Sequence, residues 1–124
     1  MKSIQIATFN VNSIRSRLRV LEQWLHKNPV DLLALQETKV IDDLFPVDFF
    51  YDHGFQIIYR GEKAYNGVAV ATRFEPIKIY FGFQDGEDPL ADTRLILIQT
   101  SQFFLLNSYI PRENQLITLI INTK

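Results

Sequence analysis

The chain of 124 residues carries 13 Lys and Arg against 14 Asp and Glu, 47% hydrophobic residues and no cysteine. This composition excludes disordered, collagen-like and disulfide-stabilised proteins and indicates one globular domain. The net charge of −1 provides no overall basic field, so any recognition of phosphate must depend on local charge. The lack of cysteine also excludes thiolate metal sites and cysteine nucleophiles. No apolar run approaches the length of a signal peptide or membrane span, and we expect a cytoplasmic protein.

The first 35 residues predict a strand, a helix and a second strand. Alternating apolar residues over 4–9 predict a half-buried strand that ends at Asn10. Asn12 or Ser13 is then expected to cap an amphipathic helix, which Asn28-Pro29 ends. The apolar stripe of this helix consists of Ile14, Leu18, Leu21 and Leu25, with Trp24 beside it. The continuous apolar run at 31–35 predicts a short strand that is buried on both faces.

The remaining sequence predicts one short helix followed by a series of strands. The pair Phe45-Pro46 is expected to open the helix, and Gly54 to close it. Segments 60–67 and 84–92 have the composition of loops. The predicted strands lie at 55–59, 67–72, 77–81, 94–99 and 103–107. This order predicts an α/β fold in which helices pack on one face of a sheet and the other face needs a different cover.

Three polar residues stand where predicted strands end. Asn10 closes the first strand, Glu37 follows the buried run, and Tyr109 follows the apolar residues 103–106. Side chains just beyond strand ends converge on a crevice in layered α/β folds. An amide oxygen and a carboxylate are hard ligands that suit Mg²⁺ or Mn²⁺. The residues alone therefore suggest a site for a metal and a phosphate.

The same residues also have structural interpretations. A carboxylate such as Glu37 after a buried strand is usually solvated or faces a helix N-terminus. Asn10 suits a cap or turn, and Tyr109 suits a half-buried aromatic whose hydroxyl bonds to backbone. By default the basic residues Arg15, Arg17 and Arg19 form a solvated helix face.

Several sequence blocks, which include these residues, resemble exodeoxyribonuclease III, the bacterial AP endonuclease branch of the endonuclease/exonuclease/phosphatase superfamily. The blocks are 7–15 (ATFNVNSIR), 35–39 (LQETK), 42–46 (DDLFP), 63–69 (KAYNGVA), 92–94 (DTR) and 107–111 (NSYIP). They occur in the order and spacing of that family from residue 1 to about residue 112.

The resemblance implies a fold, an activity and a set of roles. The fold is the four-layered α/β sandwich of the DNase I type, of which this chain matches the N-terminal half. The activity is Mg²⁺-dependent DNA repair: cutting 5′ to abasic sites in double-stranded DNA and removing nucleotides from 3′ ends, with Mn²⁺ as an alternative metal. By resemblance, Glu37 binds the metal, Asn10 lies beside it, and Tyr109 is the catalytic residue that contacts the scissile phosphate. The DNA-contacting positions are Asn12, Arg15, Lys39, Tyr65 and Asn66.

The sequence departs from the family after Arg112. The family's water-activating Asp and the His near its C-terminus belong to a second half that this chain does not contain. Residues 1–112 are therefore interpreted as half of the domain and 113–124 as an atypical tail. A one-base shift in one back-translation of the tail yields GKSIDHPNYQYK, which resembles the family's own continuation, so we hypothesise a frameshift. The alternative for 116–121 is a short apolar terminal strand.

The sequence leaves two alternatives to an active DNA repair nuclease. We expect the 124-residue chain to be inactive alone. We also expect its sheet to expose an apolar inner face, which would favour self-association. It would then be a non-catalytic fragment that retains metal or DNA binding. Within the superfamily, the other alternative is a phosphatase or lipid-directed phosphodiesterase, although the 36–39 and 65–68 blocks favour the DNA branch.

Overall fold

The computed structural model describes residues 3–82, 93–110 and 115–122, which contain eight strands and two α-helices. The strands are β1 (Ile6–Asn10), β2 (Leu32–Gln36), β3 (Gln56–Arg60), β4 (Val68–Thr72), β5 (Lys78–Phe81), β6 (Leu95–Gln99), β7 (Phe103–Ile110) and β8 (Gln115–Asn122). The helices are α1 (Leu18–Lys27) and α2 (Val47–Asp52), with 3₁₀ turns at Ile14–Ser16 and Asp42–Leu44.

The first sheet has the strand order β1-β2-β4-β3. Strands β1 and β2 are parallel, with Asn10 opposite Gln36, and the other two pairs are antiparallel. Both helices pack on one face of this sheet through an apolar core that contains Leu21 and Phe50. Every residue of β2 is buried, as the continuous apolar run predicted.

The second sheet covers the other face of the first. Its strand order is β5-β6-β7-β8, and all three pairs are antiparallel. Leu32 and Val70 of the first sheet share a buried core with Ile98 and Leu105 of the second. The expectation that the sheet exposes an apolar inner face is therefore wrong, because a second sheet covers that face and gives a helix–sheet–sheet arrangement.

The outward face of the second sheet is apolar. Leu97, Leu106 and Leu119 are directly paired across β6, β7 and β8, and Tyr80 of β5 continues this row. Leu119 is 51% exposed and Tyr80 is 38% exposed. Since both described helices pack on the first sheet, no helix covers this face within the described part of the chain.

One element begins later than its sequence pattern predicts. Asn12 and Ser13 were expected to cap the first helix, but α1 starts at Leu18 and Ser13 makes no capping side-chain hydrogen bond. Residues 12 and 13 have φ values of 45° and 86°. Instead of capping, Ser13 and Ile14 donate backbone N–H bonds to the carbonyls of Glu37 and Thr38 (2.9 and 3.0 Å). Tertiary pairing thus overrides the local capping signal.

The C-terminal residues form a strand that pairs with β7. Residues 115–122 form β8, which agrees with a terminal strand at 116–121, while the frameshift stays a prediction. The predicted loop at 84–92 lies outside the described residues. Among the described residues, neither helix has the length and apolar content needed to cross a membrane.

Candidate active site

Three side chains from both sheets meet at one end of the space between the sheets. The Asn10 amide nitrogen donates to Oε1 of Glu37 at 2.8 Å, and an interaction with the Tyr109 hydroxyl helps to lower the pKa of the same carboxylate. Asn10 is the last residue of β1, and Glu37 directly follows β2, as predicted. Tyr109 lies inside β7 and not after it, because that strand extends to Ile110. The structure joins Asn10 and Glu37, as the sequence predicted, and Tyr109 interacts with the same carboxylate. The roles assigned to the three residues stay predictions.

Lys39 adds a positive charge to this cluster. Its ammonium lies 3.3 Å from Oε2 of Glu37 and donates a 2.6 Å hydrogen bond to Oδ1 of Asn12. The backbone N–H of Asn12 in turn donates to Oδ1 of Asn10 at 3.1 Å. Glu37 therefore contacts the side-chain nitrogens of Asn10 and Lys39, and Asn12 holds both of these side chains.

The backbone that carries Glu37 is in an uncommon conformation. Glu37 and Lys39 both have φ near 55°, a left-handed region that L-residues other than Asn and Asp rarely adopt. Regular strand geometry would direct Glu37 to the face opposite Gln36, and the left-handed φ redirects it toward Asn10 and Tyr109. Such strain persists only where the surroundings fix the backbone, and it concentrates at functional sites.

Backbone hydrogen bonds hold this strained segment on two sides. On one side it accepts the bonds from Ser13 and Ile14 described above. On the other side the Thr38 and Lys39 N–H groups donate to the carbonyls of Gly67 and Asn66 at 3.2 and 2.9 Å. Gly67 packs so closely against Thr38 that no side chain fits, since a Cβ on Gly67 would lie 2.1 Å from Oγ1 of Thr38. Gly67 also has φ +93°, so glycine is required for two independent reasons.

The electrostatics favour an ionised Glu37 beside a neutral Tyr109. Burial by itself raises the pKa of Glu37, but hydrogen bonds from Asn10, Tyr109 and Lys39, together with the charge of Lys39, outweigh it and lower the pKa below the ordinary 4.5. Burial, the hydrogen bond to Glu37 and its negative charge raise the pKa of Tyr109 above 10.0. At neutral pH the site thus presents one carboxylate, one ammonium and one phenol.

A second loop places an aromatic side chain beside the site. Tyr65 is 70% exposed and lies between Ala64 and Asn66, both of which have positive φ. The Asn66 amide donates to Oε1 of Glu62 at 3.1 Å, and the Thr93 hydroxyl donates to Oε2 of the same carboxylate at 2.8 Å. The loop is therefore anchored although Tyr65 itself projects into solvent.

The structure also locates the other predicted positions. Arg15 is exposed in the middle of the 3₁₀ turn Ile14–Ser16. Asp92 and Pro111, which belong to the sequence blocks that carry the resemblance, lie outside the described residues. The predicted DNA-contacting residues Asn12, Lys39 and Asn66 are joined to the Glu37 segment by the bonds given above.

The donor set suits a hard cation. Glu37 supplies a carboxylate whose side chain is 16% exposed, and Oδ1 of Asn10 keeps one lone pair beyond its bond to Asn12. Mg²⁺ typically takes one or two carboxylates and retains several waters, so a single carboxylate beside an amide oxygen fits it. In the part of the chain that the structure describes, no group of three or more His, Asp or Glu side chains gathers to hold a metal.

Sequence reasoning assigned no role to Gln36, Asn107 or Glu62. All three make side-chain hydrogen bonds next to the site. A signal was present for one of them: Asn107 interrupts the apolar alternation of residues 103 and 105, and a polar residue on a buried strand face requires partners. Gln36 bonds to Thr8 and Asn107, and Glu62 bonds to Thr93 as well as to the nearby Asn66. The bonds to Thr8, Asn107 and Thr93 join residues far apart in sequence, so no local pattern identifies them.

Comparison with known proteins shows to which proteins the chain is similar. The chain is 34% identical to exodeoxyribonuclease III of Haemophilus influenzae over 114 residues, which cover 88% of this chain and 42% of that protein. It superposes on the structure of an AP endonuclease from Archaeoglobus fulgidus with a TM-score of 0.82 at 40% identity, covering 89% of this chain and 42% of the other.

A second structural relative is described with DNA. It is the 3′ phosphatase NExo from Neisseria bound to a product DNA hairpin, with a TM-score of 0.79 and 36% identity over 86% of this chain and 41% of the other. The chain thus spans about two fifths of the length of the relatives it matches. The Endonuclease/Exonuclease/phosphatase family matches residues 7–116, and the chain belongs to that family.

Proposed function

We propose that this chain carries the metal-binding and phosphate-binding part of an exodeoxyribonuclease III-like DNA repair nuclease. The observation that carries the proposal is the convergence of Asn10, Glu37 and Tyr109 from two sheets at a backbone segment held in a strained conformation. The names of the matched relatives, an exodeoxyribonuclease III and an AP endonuclease, support DNA as the substrate.

Each residue of the cluster has a distinct task in this proposal. Glu37 holds a divalent cation, Mg²⁺ or Mn²⁺, and Asn10 fixes the orientation of the carboxylate and offers an amide oxygen. When bound, the cation neutralises negative charge that develops on the phosphate. Tyr109 is protonated at neutral pH, and its raised pKa extends the protonated range to higher pH, so its hydroxyl can donate to a non-bridging phosphate oxygen. Lys39 supplies a second donor and a positive charge.

The surrounding loops provide contacts to the DNA backbone. Asn12, Arg15 and Asn66 offer polar and cationic groups that contact phosphates without reading sequence, as a repair enzyme requires. Tyr65 presents an exposed ring on an anchored loop, which is suited to contact with a sugar or base. The proposed substrate is double-stranded DNA with an abasic site or a 3′ end.

The proposal includes a limit on what the chain does alone. Hydrolysis of a phosphodiester also needs a base that activates water in line with the leaving group. Glu37 already contacts Asn10 and Lys39, and no group of three or more acidic or histidine side chains forms among the described residues. We therefore propose that the chain alone binds cation and DNA but does not cleave DNA.

The test combines a binding assay with an incision assay. The pure chain is mixed with a labelled duplex that contains one abasic site, with Mg²⁺ or with EDTA, beside the Glu37→Gln variant. We expect binding that depends on Mg²⁺ and on Glu37, without incision. A duplex with a 3′-phosphate forms a second arm, because one relative is named a 3′ phosphatase.

Two results would contradict parts of this proposal. Robust nicking by the chain, abolished in Glu37→Gln, would show that the chain is catalytically complete. Equal binding by both variants, with or without Mg²⁺, would exclude a cation site at Glu37.

A further inference from the structure

A buried pair of amide side chains connects the two sheets directly behind the site. The Gln36 amide nitrogen donates to Oδ1 of Asn107 at 2.8 Å, although 71 positions separate the two residues. Both side chains are completely buried. Gln36 precedes Glu37 by one residue, and Asn107 precedes Tyr109 by two, so the pair lies next to both members of the Glu37–Tyr109 contact.

Asn107 is fixed on the first sheet by two further bonds. Its amide nitrogen donates to the carbonyls of Leu35 and Ala69 at 3.0 and 2.9 Å. These two residues are directly paired across β2 and β4. One side chain of the second sheet is therefore bonded to two strands of the first.

The chemistry of these partners determines the orientation of both amides. Carbonyl oxygens only accept, so the nitrogen of Asn107 must face them and its oxygen must face Gln36. Gln36 must then present its nitrogen, which also donates to the hydroxyl oxygen of Thr8 in β1 at 2.9 Å and to the carbonyl of Ala34 at 3.4 Å. The backbone carbonyls of Leu35 and Ala69 therefore fix the orientation of the Asn107 amide, and Asn107 in turn fixes that of the Gln36 amide.

Stability alone does not account for this pair. Oε1 of Gln36 is buried and has no hydrogen-bond partner, and such an oxygen costs about 1–3 kcal/mol. Two apolar side chains of similar shape would avoid that cost. They would, however, replace directional bonds with apolar contacts, which do not fix how far one sheet slides along the other.

The position of Tyr109 relative to Glu37 depends on how far the second sheet is shifted along the first. Apolar side chains such as Ile98 and Leu105 fill the neighbouring space between the sheets. A displacement of β7 by one residue along β2 is about 3.3 Å, which exceeds the length of a hydrogen bond. The contact between the Tyr109 hydroxyl and Glu37 therefore requires a device that sets the register between sheets.

We propose that Gln36 and Asn107 are positioning residues that lock β7 onto β2 so that the Tyr109 hydroxyl meets the Glu37 carboxylate. The inference rests on the proposed function, since it assigns the pair to the proposed cation and phosphate site. Neither residue touches the cation or the phosphate. Both act through their neighbours along the strand.

The test is a double-mutant cycle with two readouts. Gln36→Met removes the bonds that the amide donates to Thr8, Ala34 and Asn107 at similar side-chain volume, and Tyr109→Phe removes only the hydroxyl. The four chains of the cycle are compared by Mg²⁺ titration calorimetry and by urea unfolding. Thr100→Val is the matched control, because it removes a buried hydroxyl from the β6–β7 turn without touching the site.

The expected result is a non-additive cycle. Gln36→Met weakens Mg²⁺ binding by about 10-fold to 100-fold, the range typical of residues that orient a metal ligand. Thr100→Val loses stability and leaves Mg²⁺ affinity unchanged. Tyr109→Phe weakens binding in the wild-type background and has no further effect once Gln36→Met is present.

Other outcomes separate this inference from the proposed function. Additive effects of the two substitutions on both readouts would overturn the positioning role. If the wild-type chain binds no Mg²⁺, the cation site fails, and non-additivity in the unfolding free energy alone would still support the positioning of Tyr109. If Gln36→Met does not fold, Gln36→Asn replaces it, since one methylene less withdraws the amide from Asn107 at a smaller loss of volume.

Discussion

Replacing Glu37 by glutamine is expected to destabilise the fold at neutral pH. The wild-type carboxylate accepts from Asn10 at 2.8 Å, from Lys39 at 3.3 Å and from the Tyr109 hydroxyl. The amide of glutamine has only one oxygen, so it satisfies one donor well and turns its own N–H₂ toward the others.

The size of the loss follows from the contacts. Hydrogen bonds to a charged group contribute about 1.5–3 kcal/mol each. The Glu37 and Lys39 side chains are 16% and 31% exposed, and solvent screening reduces the contribution of the ion pair. We expect Glu37→Gln to lower the free energy of unfolding by about 2 kcal/mol at pH 7.

The loss must also depend on pH with a definite sign. The pKa of Glu37 is lower in the folded chain than the ordinary 4.5, so the ionised carboxylate stabilises the fold. That contribution is complete above pH 4.5 and disappears as the pH falls through the folded-state pKa. The wild-type and Glu37→Gln chains should therefore become more similar in stability in acid.

Urea unfolding at neutral and acid pH measures both effects. Glu22→Gln on the exposed surface of α1 serves as the control for loss of one negative charge. A difference between wild type and Glu37→Gln that stays constant across the acid range would refute the account of the Glu37 contacts. A change as small as that of Glu22→Gln would refute it too.

Three further predictions concern the backbone, the phenol and the apolar face. Gly67→Ala should lower the free energy of unfolding by about 3 kcal/mol, because φ is +93° and Thr38 leaves no room for a Cβ. Gly54→Ala is the control in the same urea assay: at φ +83° the added Cβ meets only the end of the Arg73 side chain, so the loss should be smaller. Ultraviolet titration of wild type and Tyr109→Phe should differ by one phenol that ionises above pH 10.0. The stabilisation that the raised pKa provides is lost as the pH rises through the folded-state pKa. A phenol that ionises at its ordinary value would contradict the interaction with Glu37. Leu119→Lys should weaken concentration-dependent association in sedimentation, since Leu119 is half exposed on an apolar sheet face, and equal association of both chains would exclude this face.

Most of the strands, and the proximity of Asn10 and Glu37 at the candidate site, could be predicted from the sequence. Periodicity located the fully buried β2 and the short helix before Gly54, because burial and turn chemistry are encoded within a few residues. The convergence of Asn10 and Glu37 followed from their positions at the ends of two strands.

Features that depend on distant partners were not predictable from local pattern. The helix cap expected at Asn12 or Ser13 does not form, because the backbone there pairs with the segment after β2. The bond between Gln36 and Asn107 joins residues from different sheets, and no local pattern shows which buried polar groups will meet. Likewise, two separate sheets were not distinguished from one, since strand alternation does not specify which strands pair.

The central claim is that Glu37 and its neighbours form a cation site, and Mg²⁺ titration of the ¹⁵N-labelled chain observed by NMR tests it most directly. We predict saturable shifts confined to the amides around Asn10, Glu37 and Tyr109, with no such shifts in Glu37→Gln. Shifts spread over the acidic surface, or equal shifts in both chains, would contradict the claim.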